Sequence, residues 1–292
     1  MLASLGAELL KIRRRPSTWV LSLIWLAIIV LLNYTLVYVL LTNTPPPTFP
    51  EGTPKQQQEQ LREQQEQSQE QLLRSLYPEN LVRNLIPGYP SVGAPIALIL
   101  GALAVGSEYG WATFKTILTQ RPGRTALFLG KLLALGVILA LLVALTFATG
   151  AASSLVVAAL AGGPFTGPPP GEILRALGVG FLILAVWASL GALLSTLLRS
   201  TALSIGLGLV YSLVLETIIF NLPINSESFT NARRFFPDQN SSLADSFSTQ
   251  SPTEFAPPTP QIDATQSTLV LLAYTATFVV IATLVFYRRD VD

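Results

Sequence analysis

Hydrophobic positions in this sequence come in unbroken blocks and do not alternate with polar ones. No Asp, Glu, Lys or Arg occurs from Pro16 to Pro50, nor from Leu132 to Gly171. A surface helix of a soluble domain keeps one polar face, whereas a helix that crosses a bilayer needs ~20 consecutive apolar residues. The blocks predict six crossings, at residues 17–41, 91–107, 125–161, 172–198, 201–222 and 267–287. Helices are expected throughout, because lipid offers no partner to a free backbone N–H or C=O. The alternation of a membrane barrel is missing. The third block is longer than one crossing requires, so it is either tilted or broken near Gly150. The fold class expected is an all-α membrane protein, with residues 1–292 forming a single transmembrane domain.

The polar blocks between the runs predict further elements. In residues 1–15, Leu2, Leu5, Leu9 and Ile12 recur at helical spacing and lead into Lys11, Arg13, Arg14 and Arg15. That pattern suits an amphipathic interfacial helix beside anionic lipid. The apolar run that follows is too long for the core of a signal peptide, and no small-x-small cleavage site follows it, so it is expected to stay as the first span. Residues 42–90 form a first external segment. It opens with Pro45, Pro46 and Pro47, and from Lys55 to Tyr77 it is rich in Gln and Glu, without Gly or Pro. Arg62 with Glu66 and Glu70 with Arg74 are i,i+4 pairs. A mostly solvated helix is expected there; a dimerising coiled coil would need a heptad seam that is not sustained. Residues 223–266 form a second external segment, rich in Ser, Thr, Asn and Pro, with Phe229, Phe235, Phe236 and Phe247 among them. Those aromatics would pack a small external cap or dock on lipid.

Charge placement orients the chain. The basic residues of 11–15, 115–131, 199 and 288–289 share one side, with Glu8, Glu108, Asp290 and Asp292 as the acids there. Basic residues favour cytoplasmic loops, which puts both termini in the cytoplasm of a multi-pass plasma-membrane protein. Composition narrows the chemistry. Of 292 residues only 12% are charged, and there is neither His nor Cys. Ser–His hydrolysis, zinc proteolysis and thiolate metal sites are therefore excluded. No Asp lies in any predicted span, which removes an aspartyl dyad. A net charge of +1 gives no basis for nucleic-acid binding.

The most informative stretch is Glu108–Lys131, EYGWATFKTILTQRPGRTALFLGK, between the second and third spans. Trp111, Phe114 and Leu118 fall on one helical face, Thr113, Thr116 and Gln120 on another, and Pro122-Gly123 stops the helix. A short amphipathic helix is thus held at the inner surface between a carboxylate and several basic residues. Gly130-Lys131 is not a P-loop, since position 125 is Thr and position 132 is Leu.

This stretch resembles the signature of the membrane-spanning permease subunits of type-2, exporter-like ABC transporters. The matching residues are Glu108, Thr113, Lys115, Leu118, Pro122, Arg124, Gly130 and Lys131; Ala112 stands where Gly is usual. The basic surface helix, six spans and the closing Tyr287-Arg288-Arg289-Asp290 extend the resemblance over the chain, least well in the two external segments. It implies that Glu108, Trp111, Thr113, Phe114, Lys115, Leu118, Arg121 and Arg124 form a coupling helix seated in a cytoplasmic ATPase subunit. It also implies two such ATPases carrying ATP and Mg, no cofactor on this chain, and a homodimer built on spans one and five. Read without the resemblance, the stretch is an interfacial helix with snorkelling Lys and Arg.

Within the spans, Glu216 is the sharpest residue, because a carboxylate at that depth faces protein or water. It lines a pathway or the dimer seam, or else it snorkels or pairs locally; Asn33 and Tyr34 carry weaker versions of the same argument. Ala140, Ala144, Ala148 and Ala152 form a small-residue stripe on the third span, as Ser204 and Gly208 do on the fifth, and packing within the subunit is expected of both. The function expected is the permease half of an ATP-driven exporter. The rivals are a membrane scaffold or signalling protein working through its external helices, and a secondary transporter, for which the sequence offers one candidate carboxylate within the spans and no convincing internal repeat.

Overall fold

The computed structural model describes residues 2–45, 49, 54–110, 123–215, 218, 229, 231, 232, 234–247 and 262–288, and among them it is helical with no strand. Helix α1 covers Leu2–Arg13. Helix α2 runs Pro16–Asn43, with proline at its first position, where no N–H is needed. Helix α3 is Lys55–Ser75, and the short α4 is Leu81–Leu85. Then come α5 at Tyr89–Tyr109, α6 at Arg124–Ala161, α7 at Pro170–Leu198 and α8 at Thr201–Leu215. The short α9 is Pro237–Ser241, and α10 is Ala264–Arg288. Helices α2, α5, α6, α7 and α10 are long and apolar enough to cross a membrane, and α8 is a shorter apolar helix. Except for Ile218, the remainder of the expected fifth span, 216–222, lies outside the described residues.

Helix α6 passes through Gly150 without a break. At 1.5 Å per residue, 38 residues reach roughly 57 Å, against a hydrocarbon core of about 30 Å. The excess length is therefore carried by one continuous rod. It ends at Gly162, whose φ of 69° supplies the left-handed cap. The turn from α7 to α8 is tighter. Arg199 itself takes the left-handed conformation (φ 53°), and Ser200 caps the new helix by accepting from the Leu203 N–H at 3.4 Å.

Helices α5 and α7 form the centre. A Cβ on Gly101 would run into the backbone carbonyl of Ala188, and one on Gly191 into that of Leu98. Two reciprocal glycines thus let the helices touch backbone to backbone, the close approach that small residues provide in lipid, where no hydrophobic force drives helices together. The Ser195 hydroxyl donates across this contact to the Ala102 carbonyl at 3.0 Å. On α8, Ser204 and Gly208 are buried, and Gly208 rests on the Leu98 side chain. The stripe Ala140, Ala144, Ala148 and Ala152 behaves differently. All four residues are exposed, so the expected packing within the subunit is corrected: α6 turns its other faces, through Leu139, Val143 and Phe147, into the core.

Helix α2 lies at the edge and enters the core through Trp25, Ile29 and Tyr34. Trp25 donates its indole N–H to the Thr146 hydroxyl at 2.7 Å and meets Tyr89 edge-on at 5.5 Å. Around Tyr34 the helix widens to π-helical spacing over Ile29–Leu36. The polar segments divide in the same way. Leu81, Val82 and Leu85 of α4 are buried, with Leu81 and Leu85 against Gly150 of α6, while α3 buries no residue. In the later segment Phe247 is buried with Arg175 stacked over its ring at 5.2 Å, and Phe235 is exposed.

Candidate functional site

The site is assembled where α1, the end of α5 and the start of α6 converge. Helix α1 carries Glu8 and Lys11 three residues apart, hence on one face. Glu108 closes α5, and Lys131 stands two turns into α6. The Lys131 ammonium donates to Glu108 Oε1 at 2.7 Å and to Glu8 Oε2 at 2.9 Å. The Lys11 ammonium also pairs with Glu108 Oε1 and lies 3.9 Å from Glu8. Two carboxylates and two ammonium groups therefore balance in one cluster. Glu108 is 0% exposed, Lys131 1% and Glu8 5%, with Lys11 at the rim. Glu108 Oε2 has no hydrogen-bond partner among the described residues.

A neighbouring tie strengthens the junction. Arg15 donates from Nη1 to the Leu103 carbonyl of α5 at 3.1 Å. Beside the cluster, Val105, Leu127, Phe128, Ala192, Leu193, Ala282 and Phe286 form a separate apolar core, in which the Phe128 and Phe286 rings stack at 4.8 Å. The ends of α5, α6, α7 and α10 are thereby packed together.

The energetics favour a mechanical role for the cluster. Desolvating four charges cancels much of what their attraction gains, so the net stabilisation is small. Removing one partner is another matter, and leaves an uncompensated buried charge at a cost of about 3–5 kcal/mol. The arrangement holds three helices in one register. It also closes off phosphate chemistry at Gly130-Lys131, because Lys131 is enclosed and committed to two carboxylates.

Of the residues singled out in the sequence, Glu108 is at the heart of the cluster. Trp111, Thr113, Phe114, Lys115, Leu118, Arg121 and Glu216 lie outside the described residues, as does the side chain of Arg124. Tyr34 is buried in the chain's own core and Asn33 is half-exposed beside it. Glu8 and Lys11 went unsingled in the sequence. Their only signal was an acid and a base three residues apart in a helix that also carries Arg13, and nothing in that spacing points to Lys131, 123 residues from Glu8.

The geometry can be set beside known proteins. The family model described as ABC-2 family transporter protein matches residues 2–291. No curated protein matches the chain.

Proposed function

The chain belongs to the ABC-2 family of transporter proteins, and on that premise we propose that it forms the membrane path of a plasma-membrane exporter driven by separate ATPase subunits. Two copies of the chain pair in the membrane with both termini in the cytoplasm. Two ATPases, which carry the ATP and Mg, dock on the segment between Glu108 and Arg124. Closure of the ATPases pushes on that segment, the spans tilt, and substrate moves outward. This chain hydrolyses no ATP.

The observation that carries this reading is the buried cluster of Glu8, Lys11, Glu108 and Lys131. A push delivered between α5 and α6 reaches the spans only if the two helices do not splay apart. Ion pairs with directional hydrogen bonds resist splaying better than non-directional apolar contact does. The cluster also ties in α1, which makes the surface helix part of the same lever.

Co-purification from native membranes in mild detergent tests the reading. Wild type is expected to bring down an ATPase subunit, and the double variant Phe114→Asp plus Lys115→Glu is expected to lose it while eluting as a folded chain. Absence of any nucleotide-binding partner, even after cross-linking, would overturn it. The scaffold reading draws on one feature, the solvated helix α3. Deleting residues 55–75 separates the two: a scaffold loses its function, whereas a transporter keeps ATP-dependent coupling.

A further inference from the structure

Alongside the ion-pair cluster, α1 helps to enclose a cavity of about 300 Å³ with the start of α2 and the middle of α6. Val137, Leu141 and Leu145 line it from α6, and Ile12 and Trp19 from the other two helices. From Val137 to Leu145 the lining extends about 12 Å at 1.5 Å per residue. The lining is almost wholly apolar, and Arg13 is the one charged residue in it. Val137 and Leu141 are about half exposed (47% and 52%), so the slot opens on the apolar flank of the molecule. The Trp19 indole N–H donates to the Arg13 carbonyl at 2.8 Å, which fixes the rim. Arg13, which lines the slot, and Arg14, which follows it in sequence without lining it, are both exposed, and neither makes an ion pair among the described residues.

We propose that this slot seats one acyl chain of an anionic phospholipid, whose phosphate is held by Arg13 and Arg14. The apolar lining suits a hydrocarbon chain and would strip water from any polar solute without replacing its hydrogen bonds. The guanidinium groups suit a phosphate, which they bind in bidentate fashion. They also favour an anionic headgroup over a zwitterionic one, whose own cation competes for the phosphate. A second copy of the chain fits less well. It would bring apolar helix surface onto two arginines, and the acid nearest them in α1, Glu8, is already committed to Lys131. The lipid braces α1 beside its ionic tie, so the hold on this helix depends on the charge of the surrounding leaflet. This inference is independent of the transport reading, since it rests on the slot and the two arginines alone.

Native mass spectrometry of the full-length, delipidated chain, titrated separately with phosphatidylglycerol and phosphatidylcholine, tests it. One phosphatidylglycerol per chain is expected, bound on the order of tenfold tighter than phosphatidylcholine, as two surface arginines beside an anionic headgroup predict. Arg13→Gln with Arg14→Gln should erase that preference. Leu141→Trp fills the slot from a half-exposed position and should abolish the phosphatidylglycerol adduct without changing the elution of the folded protein. Equal binding of the two lipids by wild type would overturn the proposal, as would retention of the adduct by Leu141→Trp. The chain has no cysteine, so Leu141→Cys reports alone: a disulfide-linked dimer in membranes would show that a second copy covers the slot, against the proposal.

Discussion

Helices α5 and α7 each bury 61% of their most apolar stretch within the chain, whereas α2 and α10 bury 17%. Yet α5 is the least apolar of the five long helices. Hydrophobicity is therefore no guide to depth within the protein, since α7 is nearly as apolar as α2 and far more buried. The outer helices are sheathed in side chains such as Leu23, Leu31, Leu269 and Val280, all more than half exposed. The inner pair uses Gly101, Gly191, Ala188 and Ser195, residues too small to be strongly hydrophobic, because its stability comes from close backbone approach. A core in lipid is defined by fit.

The hardest test of that contrast is to spoil the fit. Gly101→Val places a branched side chain against the Ala188 carbonyl. Overpacking that neighbouring side chains can absorb costs about 1–3 kcal/mol. A clash with backbone has no such relief, so a loss above about 5 kcal/mol is expected, in the range reserved for disrupted cores. No folded chain should survive size exclusion in mild detergent. Leu23→Val on α2, a substitution to the same residue at an exposed site, should leave the elution profile intact. If both variants elute as wild type, the central pair is not the structural core.

The next effect falls at the charged end of α5, where α1 and α6 meet it. Lys131→Met leaves Glu8 and Glu108 buried with only Lys11 between them, at a cost of about 3–5 kcal/mol. Lys131→Met with Glu108→Met removes one charge of each sign and keeps Glu8 facing Lys11. Buried ion pairs replaced by apolar groups are often neutral in stability, so denaturation in mixed micelles should show most of the loss recovered. On the proposed function, ATP-dependent transport should stay impaired, because the ionic tie between α5 and α6 is gone. Recovery of both stability and transport would reduce the cluster to packing.

These regions were unequally legible in the sequence. The long helices could be read because a bilayer asks only for length and apolarity, and the runs after Pro16 and Leu132 supply both. Glu108 could be read because a carboxylate at the end of an apolar run is conspicuous. Its partners could not, since Glu8 and Lys131 meet through tertiary packing alone. The small-residue stripes show the same limit. Ser204 with Gly208 and Ala140 with Ala144 look alike as strings, and each announces a close approach; only the fold decides that the first faces the protein and the second faces outward. Gly101 and Gly191 were hidden for the opposite reason, as single glycines within apolar runs that carry several others.

The smallest expected effect tests how the edge helix is held. Trp25 is 2% exposed on a helix that is otherwise largely uncovered, and it makes a hydrogen bond to Thr146 as well as an edge-on contact with Tyr89. Thr146→Val keeps the shape of the side chain and deletes the acceptor. In water an orphaned buried N–H would cost about 1–3 kcal/mol. Within a membrane, interhelical hydrogen bonds average only about 0.6 kcal/mol, because the loosened helix finds other partners. Thr146 also spends its own proton on the Leu142 carbonyl at 2.8 Å, so deleting the hydroxyl frees that carbonyl for helix hydrogen bonding alone. A loss of about 0.6 kcal/mol is therefore expected from unfolding in mixed micelles. A loss above about 2 kcal/mol would mean that a directional bond holds α2 in place, and that the edge of this protein follows a different rule from its centre.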